Sequence, residues 1–558
     1  MQSTSSQSRE SSPPSRPLAR GQACMPCRWR KIRCDGVRPS CGQCTGSQET
    51  RECRYGDANT SHASNLQKTV TQLQARLRLL EQGESTTVQS TVLLHDPYSD
   101  NSPSYTTPPS QSRSASVDTN SDWPSPDICA ILTDTFFQHV QCLPWFLHEG
   151  RHRQALTLPD NNPGRPIAAL DAAVLLWGSI LSSNTSPNFP AVHSETLLDY
   201  ASSQVGLVNA SGQQAIQIIQ ARLLLAIHFL DTCRVLEGRA HLAAATSLAF
   251  RLRLHKIRSS PSSSSLPNAT FLDPMTIPLL PDPQDAVEEG ERIRAFWTVF
   301  CFSRTHAVMF GQYSLVLDSE SEERRIDTPW PLNMNLYDQD QMPQDLQSTG
   351  TLCRFFHGIR SGWPWENDML SYLSKASALF ERTARFDAVQ QRDPTATDPT
   401  TSLTEFASLD QRTDELEAQL APLTAGPAQG LHLAQSLVLT GRIQLHSSFA
   451  EQSPISRAKC LGAARAIWNV SVATRVETFV FLDPVIGWIW AAACRVLMSE
   501  VALLRAQPAR SALPGTTTEA ELVQTLDGIL ALMSALVTAS SSMNFHLSRV
   551  EQERVVLC

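Results

Sequence analysis

The sequence predicts a small module folded around metal ions, a short coiled coil and a large all-α body, with low-complexity segments before and between them. Three observations carry that prediction. Six of the fourteen cysteines fall between Cys24 and Cys53. Apolar residues then recur at heptad spacing from Leu66 to Leu80. From Pro126 onward apolar residues recur at helical spacing, and strand-like alternation is sparse. A chain of 558 residues has room for two or more structured regions. Its charge is divided unevenly. The net charge is −8, yet residues 1–82 hold thirteen Lys/Arg against six Asp/Glu, so the first 82 residues carry +7 and the rest −15. That asymmetry sets a nucleic-acid-binding end apart from a larger body with no electrostatic reason to touch a polyanion.

The cysteine stretch reads CMPCRWRKIRCDGVRPSCGQCTGSQETREC, with two, six, six, two and eight residues between successive cysteines. It divides into two similar halves, each opening on a C-x-x-C pair and closing with one more cysteine. Two intervening residues let both thiolates of such a pair bite one ion. Six thiolates close two tetrahedral zinc shells only if two of them bridge. Disulfides are the competing reading of six cysteines. Against them stand the metal-type spacing, the basic residues set between the ligands, and an N-terminus without the apolar core of a signal peptide.

The stretch resembles the fungal binuclear zinc cluster of transcription factors, whose pattern is C-x2-C-x6-C, a short loop, then C-x2-C-x6-8-C. The fit holds at every cysteine. The resemblance implies Cys24, Cys27, Cys34, Cys41, Cys44 and Cys53 as ligands of two Zn(2+) ions, with Cys24 and Cys41 bridging. It places Pro39 at the turn between the halves, a proline often cis in the family. It matches Lys31 to the base-reading lysine, with Arg30 beside it. Trp29 is an unusual occupant of its position.

The residues make a physical case of their own for DNA. A short helix after each C-x-x-C pair would aim its N-terminal end at the major groove, where Lys or Arg can bond guanine O6 and N7. The candidate contacts are Arg28, Arg30, Lys31, Arg33, Arg38 and Arg51, of which those that do not read bases neutralise phosphates. Between Arg16 and Arg54 nine basic residues face three acidic ones. Such a run also suits nuclear import, which is compatible with DNA binding.

Taken in order, residues 1–20 are a Ser/Gln/Pro/Arg-rich tail expected to be disordered. The zinc module occupies 21–56 and a polar linker 57–64. In 65–82, Leu66, Leu73 and Leu80 at d and Val70 and Leu77 at a form a short heptad seam. β-Branched residues at a with Leu at d suit a parallel dimer; the plainer alternative is an amphipathic helix packed on the body. A homodimer would place two zinc modules on two half-sites. Residues 83–124 are a Ser/Thr/Pro-rich linker expected to be disordered, and 125–558 the α-body.

Within the body, helices are expected over 129–140, 167–181, 215–230, 239–254 (after Gly238), 288–310 (ending at Gly311), 410–421, 431–453, 455–478, 484–504 and 518–540. Residues 259–265 read as a loop and 386–403 as a mobile connection. Val480–Leu497 is apolar, but Asp483, Pro484 and Arg495 make it a buried helix rather than a membrane span. The segments TFFQHVQCLPWFLHEGRHR, LEGRAHLAAATSLAFRLRLHKIR and ERIRAFWTVFCFSRTHAVMFGQ resemble the fungal-specific regulatory domain, or middle homology region, over about 127–331. Two departures stand out: Leu252-Arg253-Leu254-His255 lacks the usual glycine, and Ile293 replaces an arginine. That resemblance implies an all-α, solenoid-like regulatory bundle, with a small-molecule effector or a coregulator as partner. Residues 332–558 join the same body by helical pattern alone.

No catalytic residue is expected. His148, His152, His228, His241, His255 and His306 lie in no ligand-pair motif, and no G-x-S-x-G, Walker A or dinucleotide glycine motif is present. Trp363 and Trp365 could line a pocket or simply pack. Arg292, Arg294 and Arg304 could meet a ligand carboxylate, though internal ion pairs to Glu288 or Glu291 are the simpler use. The other eight cysteines read as reduced, mostly buried thiols. The sequence thus points to a nuclear, zinc-dependent factor that binds double-stranded DNA at CGG-type half-sites and regulates RNA polymerase II genes. The alternative is an interaction protein, or a catalytic α-helical body, whose zinc module binds a protein or RNA.

Overall fold

The computed structural model describes residues 23–24, 26–27, 30–45 and 53, and then 123–557 except 160–161, 186–193, 208–211, 261–279, 313, 315, 317–323, 344–345, 360–367, 394–397, 424–427 and 507–517. The chain divides into two units, Met1–Arg113 and Ser114–Cys558. In the first, the described secondary structure includes one short helix, α1 (Gly42–Thr45). The heptad residues Leu66, Val70, Leu73, Leu77 and Leu80, the tail 1–20 and the linkers 57–64 and 83–122 lie outside the described residues.

The second unit is all-helical, with a single isolated bridge between Ser259 and Ser348 and no strand among the described residues. Its opening helix α2 (Pro126–Gln138) starts at Ser125, whose hydroxyl accepts from the Ile128 N–H, with Pro126 in the first turn where no donor is needed. Leu132, Phe136 and Phe137 form its buried stripe. α3 (Glu149–Leu156) follows, and α4 (Ala168–Thr185) is buried almost all round. Gly178 makes the α2–α4 approach possible, because a Cβ there would stand 2.2 Å from the Leu132 carbonyl oxygen.

Next come α5 (Ser194–Leu207), α6 (Gln213–Asp231) and α7 (Val235–Arg251). Gly238 does not punctuate a helix as expected but sits inside α7. A Cβ at that position would meet the Leu230 side chain at 2.7 Å, so it is a packing glycine. The central helix α8 (Ala286–Met309), capped by Asp285, is buried around most of its circumference. It stops at Gly311 with φ +62°, the left-handed geometry of a helix terminus.

Two short helices, α9 (Met334–Asp338) and α10 (Thr351–Phe356), lead to α11 (Met369–Arg392), α12 (Pro399–Leu420), α13 (Ala428–Ser447) and α14 (Pro454–Ala473). The chain ends with α15 (Val485–Ala506), α16 (Glu519–Leu536) and α17 (Ser541–Leu557). Sequence neighbours pack as spatial neighbours in the pairs α4–α5, α6–α7 and α13–α14. Two apolar cores result, one centred on α4, α6 and α8 and the other on α11, α13 and α15. α15 is long and apolar enough to cross a membrane by length and composition. It packs on α14, α16 and α17 and buries Ile486, Ile489, Trp490, Leu497 and Val501, as a core helix does.

Several expectations need correction. Residues 386–392 close α11 and 399–403 open α12, so the connection shrinks to 393–398. Helix α11 escapes the periodicity because Lys375 and Glu381, both buried, interrupt its apolar stripe of Tyr372, Ala376, Leu379 and Phe380. α17 escapes it because, among its described residues, buried apolar side chains are few: Met543, Leu547 and Val550. Helices α3 and α5 are likewise additions to the expected set. Among the described body cysteines, Cys301, Cys460 and Cys494 are buried, Cys129, Cys142 and Cys353 half-buried and Cys233 exposed; none is in a disulfide.

Candidate metal centre and nucleic-acid interface

The two halves of the cysteine stretch fold back on each other around their sulfurs. Cys24, Cys27, Cys34 and Cys41 are buried, and Cys44 and Cys53 are half-buried. Their Sγ atoms form two groups, Cys24/Cys27/Cys34/Cys41 and Cys24/Cys41/Cys44/Cys53, each with all sulfurs within 4.8 Å of one another. Cys24 and Cys41 belong to both. Sγ of Cys24 lies 3.7 Å from those of Cys41 and Cys44, and Sγ of Cys27 lies 3.6 Å from Cys41. Zn–S bonds of about 2.3 Å in a tetrahedron put sulfurs about 3.8 Å apart, whereas a disulfide needs about 2.05 Å. The spacing therefore fits zinc and excludes disulfides between these pairs.

The electrostatics of the cluster point the same way. Burial pushes the Cys24 and Cys27 thiols up, Cys27 to about 12. Cys53 is held below the usual thiol range, chiefly because the Cys41 N–H donates to its Sγ at 3.3 Å. A bound cation reverses the upward shifts, since a coordinating thiol is deprotonated outright. A zinc ion held by these cysteines would supply a cross-link in place of a core.

Asp35 is the residue that sequence reasoning missed. Its carboxylate accepts from the Gly42 N–H at 2.8 Å and the Val37 N–H at 3.2 Å, tying the inter-half loop to the start of α1. A Cβ at Gly42 would stand 2.6 Å from the Asp35 Oδ2. A D-G pair one residue after a cysteine and a glycine opening the next pair were the available signals. The helix expected after the second pair instead begins inside it, and its first N–H is already taken by Asp35. The Arg38–Pro39 bond is cis, as the resemblance implied.

In the first half, the Arg30 N–H donates to the Pro26 carbonyl and the Ile32 N–H to the Cys27 carbonyl, at 3.0 and 3.1 Å. Lys31 between them takes φ +53°. This is the left-handed cap of a helical turn, filled by lysine where glycine is usual. It sets Lys31 at the crest of the turn, exposed, with exposed Arg33 and half-buried Arg30 beside it; Arg38 is exposed in the inter-half loop. Arg28 and Arg51 lie outside the described residues.

In the body, the expected ligand candidates serve the fold. Arg292 pairs with Glu288 at 2.6 Å, Arg294 with Asp368 at 3.1 Å and Arg304 with Glu381 at 2.6 Å. Only the first partner was among those expected; the other two tie α8 to α11 and its cap. Glu291 accepts from the His148 N–H at 2.8 Å. Trp297 donates to the Pro329 carbonyl and stacks on Trp330. Ile293, in place of an arginine, is fully buried. Arg253, in place of the usual glycine, takes φ +55°. His148 caps α3, accepting from the Arg151 N–H. His306 holds the Phe302 carbonyl with Nδ1. His152, His228 and His241 are pushed down to about 4 by burial, and His255 is buried. Trp363 and Trp365 lie outside the described residues.

Two family models match the chain. Residues 22–61 match the fungal Zn(2)-Cys(6) binuclear cluster domain, and residues 133–379 match the fungal specific transcription factor domain. The second match runs past residue 331, where the sequence resemblance faded, into α11. No curated protein and no solved structure matches. Both families are those of transcription factors rather than of enzymes. With a zinc-binding cluster domain ahead of an all-helical regulatory domain, the chain is a fungal zinc cluster transcription factor.

Proposed function

We propose that this chain is a nuclear, sequence-specific regulator of RNA polymerase II genes that reads CGG-type half-sites as a homodimer. The observation that supports it most is the pair of sulfur groups sharing Cys24 and Cys41. On this reading two zinc ions are held, one by each group, with those two thiolates bridging. Lys31, raised on its left-handed turn, reads guanine, while Arg28, Arg30, Arg33, Arg38 and Arg51 neutralise phosphates. The heptad segment 65–82 pairs two chains, and the body from 125 to 558 regulates them.

The test is selection of a randomised duplex library by the full-length, zinc-loaded protein, repeated after chelation. Enrichment of paired CGG triplets that disappears with chelator is the expected result. Zinc-dependent retention of all duplexes alike, with a salt slope and no enrichment, would mean phosphate contact without readout. Retention of none would shift the zinc module to a protein or RNA partner.

A further inference from the structure

A cavity of about 600 Å³ lies within the body where its two apolar cores meet. Six segments converge on it: the entry segment 140–153, the middle of α8, the start of α9, the start of α11, the start of α13, and residues 481–486. That volume is within the range of small-molecule sites, which are mostly apolar with a few placed polar groups.

The polar groups are present. Trp145 Nε1, Arg294 Nε, Gln429 Oε1 and His432 Nε2 belong to side chains lining this cavity, and each is buried with no hydrogen-bond partner within the protein. Buried polar atoms are ordinarily satisfied, so four orphans around one cavity imply an outside partner. Their chemistry is readable. Thr474 Oγ1 lies 2.7 Å from the Val470 carbonyl and 3.1 Å from the His432 Nδ1; with the hydroxyl proton on that closer carbonyl, Nδ1 donates to Thr474. His432 Nε2 is therefore an acceptor, as is Gln429 Oε1, while Trp145 and Arg294 offer N–H donors.

Charge on the lining is muted. Arg294 is paired with Asp368, and Arg153 with Asp134 and Glu149. Burial pushes the His432 imidazole down to about 4, leaving it neutral at pH 7, and pushes the Asp483 carboxyl up, with His306 Nε2 3.9 Å from it.

We propose that this cavity binds an uncharged, largely apolar small molecule carrying both hydrogen-bond donors and acceptors. The ligand bridges the two halves of the body. The site lies wholly in the body and stands whether or not the cysteine module reads DNA.

Nile red, neutral and fluorescent in apolar surroundings, is the probe, titrated into the full-length zinc-loaded protein. Saturable one-to-one binding is expected, at least tenfold tighter than that of the anionic 1-anilinonaphthalene-8-sulfonate. Leu373→Trp, which fills the cavity, should weaken it tenfold or more, and Val472→Trp on the exposed face of α14 should not. Hydrogen exchange on the unmutated protein keeps the test independent of how the variants fold. Nile red should protect 140–150, 429–433 and 481–486. Protection elsewhere or nowhere, equal binding by a folded Leu373→Trp protein, or tighter binding of the anion would overturn the proposal.

Discussion

Lys31→Gly separates the left-handed turn that Lys31 occupies from the guanine contact proposed for it. At φ +53° a lysine is strained, and the left-handed conformation costs an L-residue roughly 1–2 kcal/mol. Glycine relieves that strain but loses about 0.5–1 kcal/mol more conformational entropy on folding. The module should therefore hold zinc as tightly as before, or by up to ~1.5 kcal/mol more tightly. Loss of the proposed guanine contact should cost ~1–3 kcal/mol, which is a drop of about five- to 150-fold in affinity. Lys31→Ala loses the same contact and keeps the strain, so it should match Lys31→Gly on DNA and fall below it in zinc retention. Fluorescence anisotropy with a paired-CGG duplex and a triplet-mutated duplex, at two salt concentrations, measures the first effect; chelator competition measures the second. The glycine variant should lose affinity for the CGG duplex and change little on the mutated one. Equal loss on both duplexes, with the salt slope reduced by about 1, would make Lys31 a phosphate contact. No loss on either would remove it from the interface.

Four further outcomes are expected. Cys41→Ala should strip the zinc content well below that of Cys53→Ala, because a shared ligand is lost from both sulfur groups and Cys53 belongs to one; metal analysis of the purified variants decides it. Arg253→Gly should stabilise the body by up to ~1.5 kcal/mol in thermal unfolding, since the left-handed strain is relieved and the side chain is exposed. Glu381→Gln should cost ~3–5 kcal/mol by leaving the Arg304 guanidinium, 2 % exposed, without its charge partner; the apolar double replacement Arg304→Met with Glu381→Leu should recover much of that loss. Acidification should destabilise the body. His152, His228, His241, His432 and His546 are pushed down to about 4 by burial, so the unfolded chain takes up protons first as pH falls through 6.5. Each then costs about 1 kcal/mol by pH 5.5. Asp231, pushed up to about 7 by burial, works in the opposite direction, so a fall in melting temperature between pH 7 and 5.5 is the expected net result and a rise would refute it.

The zinc module was legible because metal ligation is written in local spacing. Two residues between Cys24 and Cys27, and between Cys41 and Cys44, are enough to aim both thiolates of a pair at one ion. The long helices α4, α6, α8 and α15 were legible for a related reason, since their apolar runs cannot be left in water. Less legible were elements whose burial depends on partners far along the chain. Lys375 and Glu381 look like surface residues until α8 brings Arg304 to Glu381 and Trp330 comes beneath the Lys375 ammonium. Gly238 looks like punctuation until Leu230 is seen packed against it.

By itself the sequence determined the six-cysteine cluster, the basic end and the all-α character of the body, because each follows from residue type and short-range period. Only the tertiary structure decided what faces what. It put Asp35 on the Gly42 N–H and placed Lys31 and Arg253 in left-handed turns. It also gathered Trp145, Arg294, Gln429 and His432 around one cavity. Those arrangements depend on which surfaces exclude water from one another, and residues hundreds of positions apart settle that together.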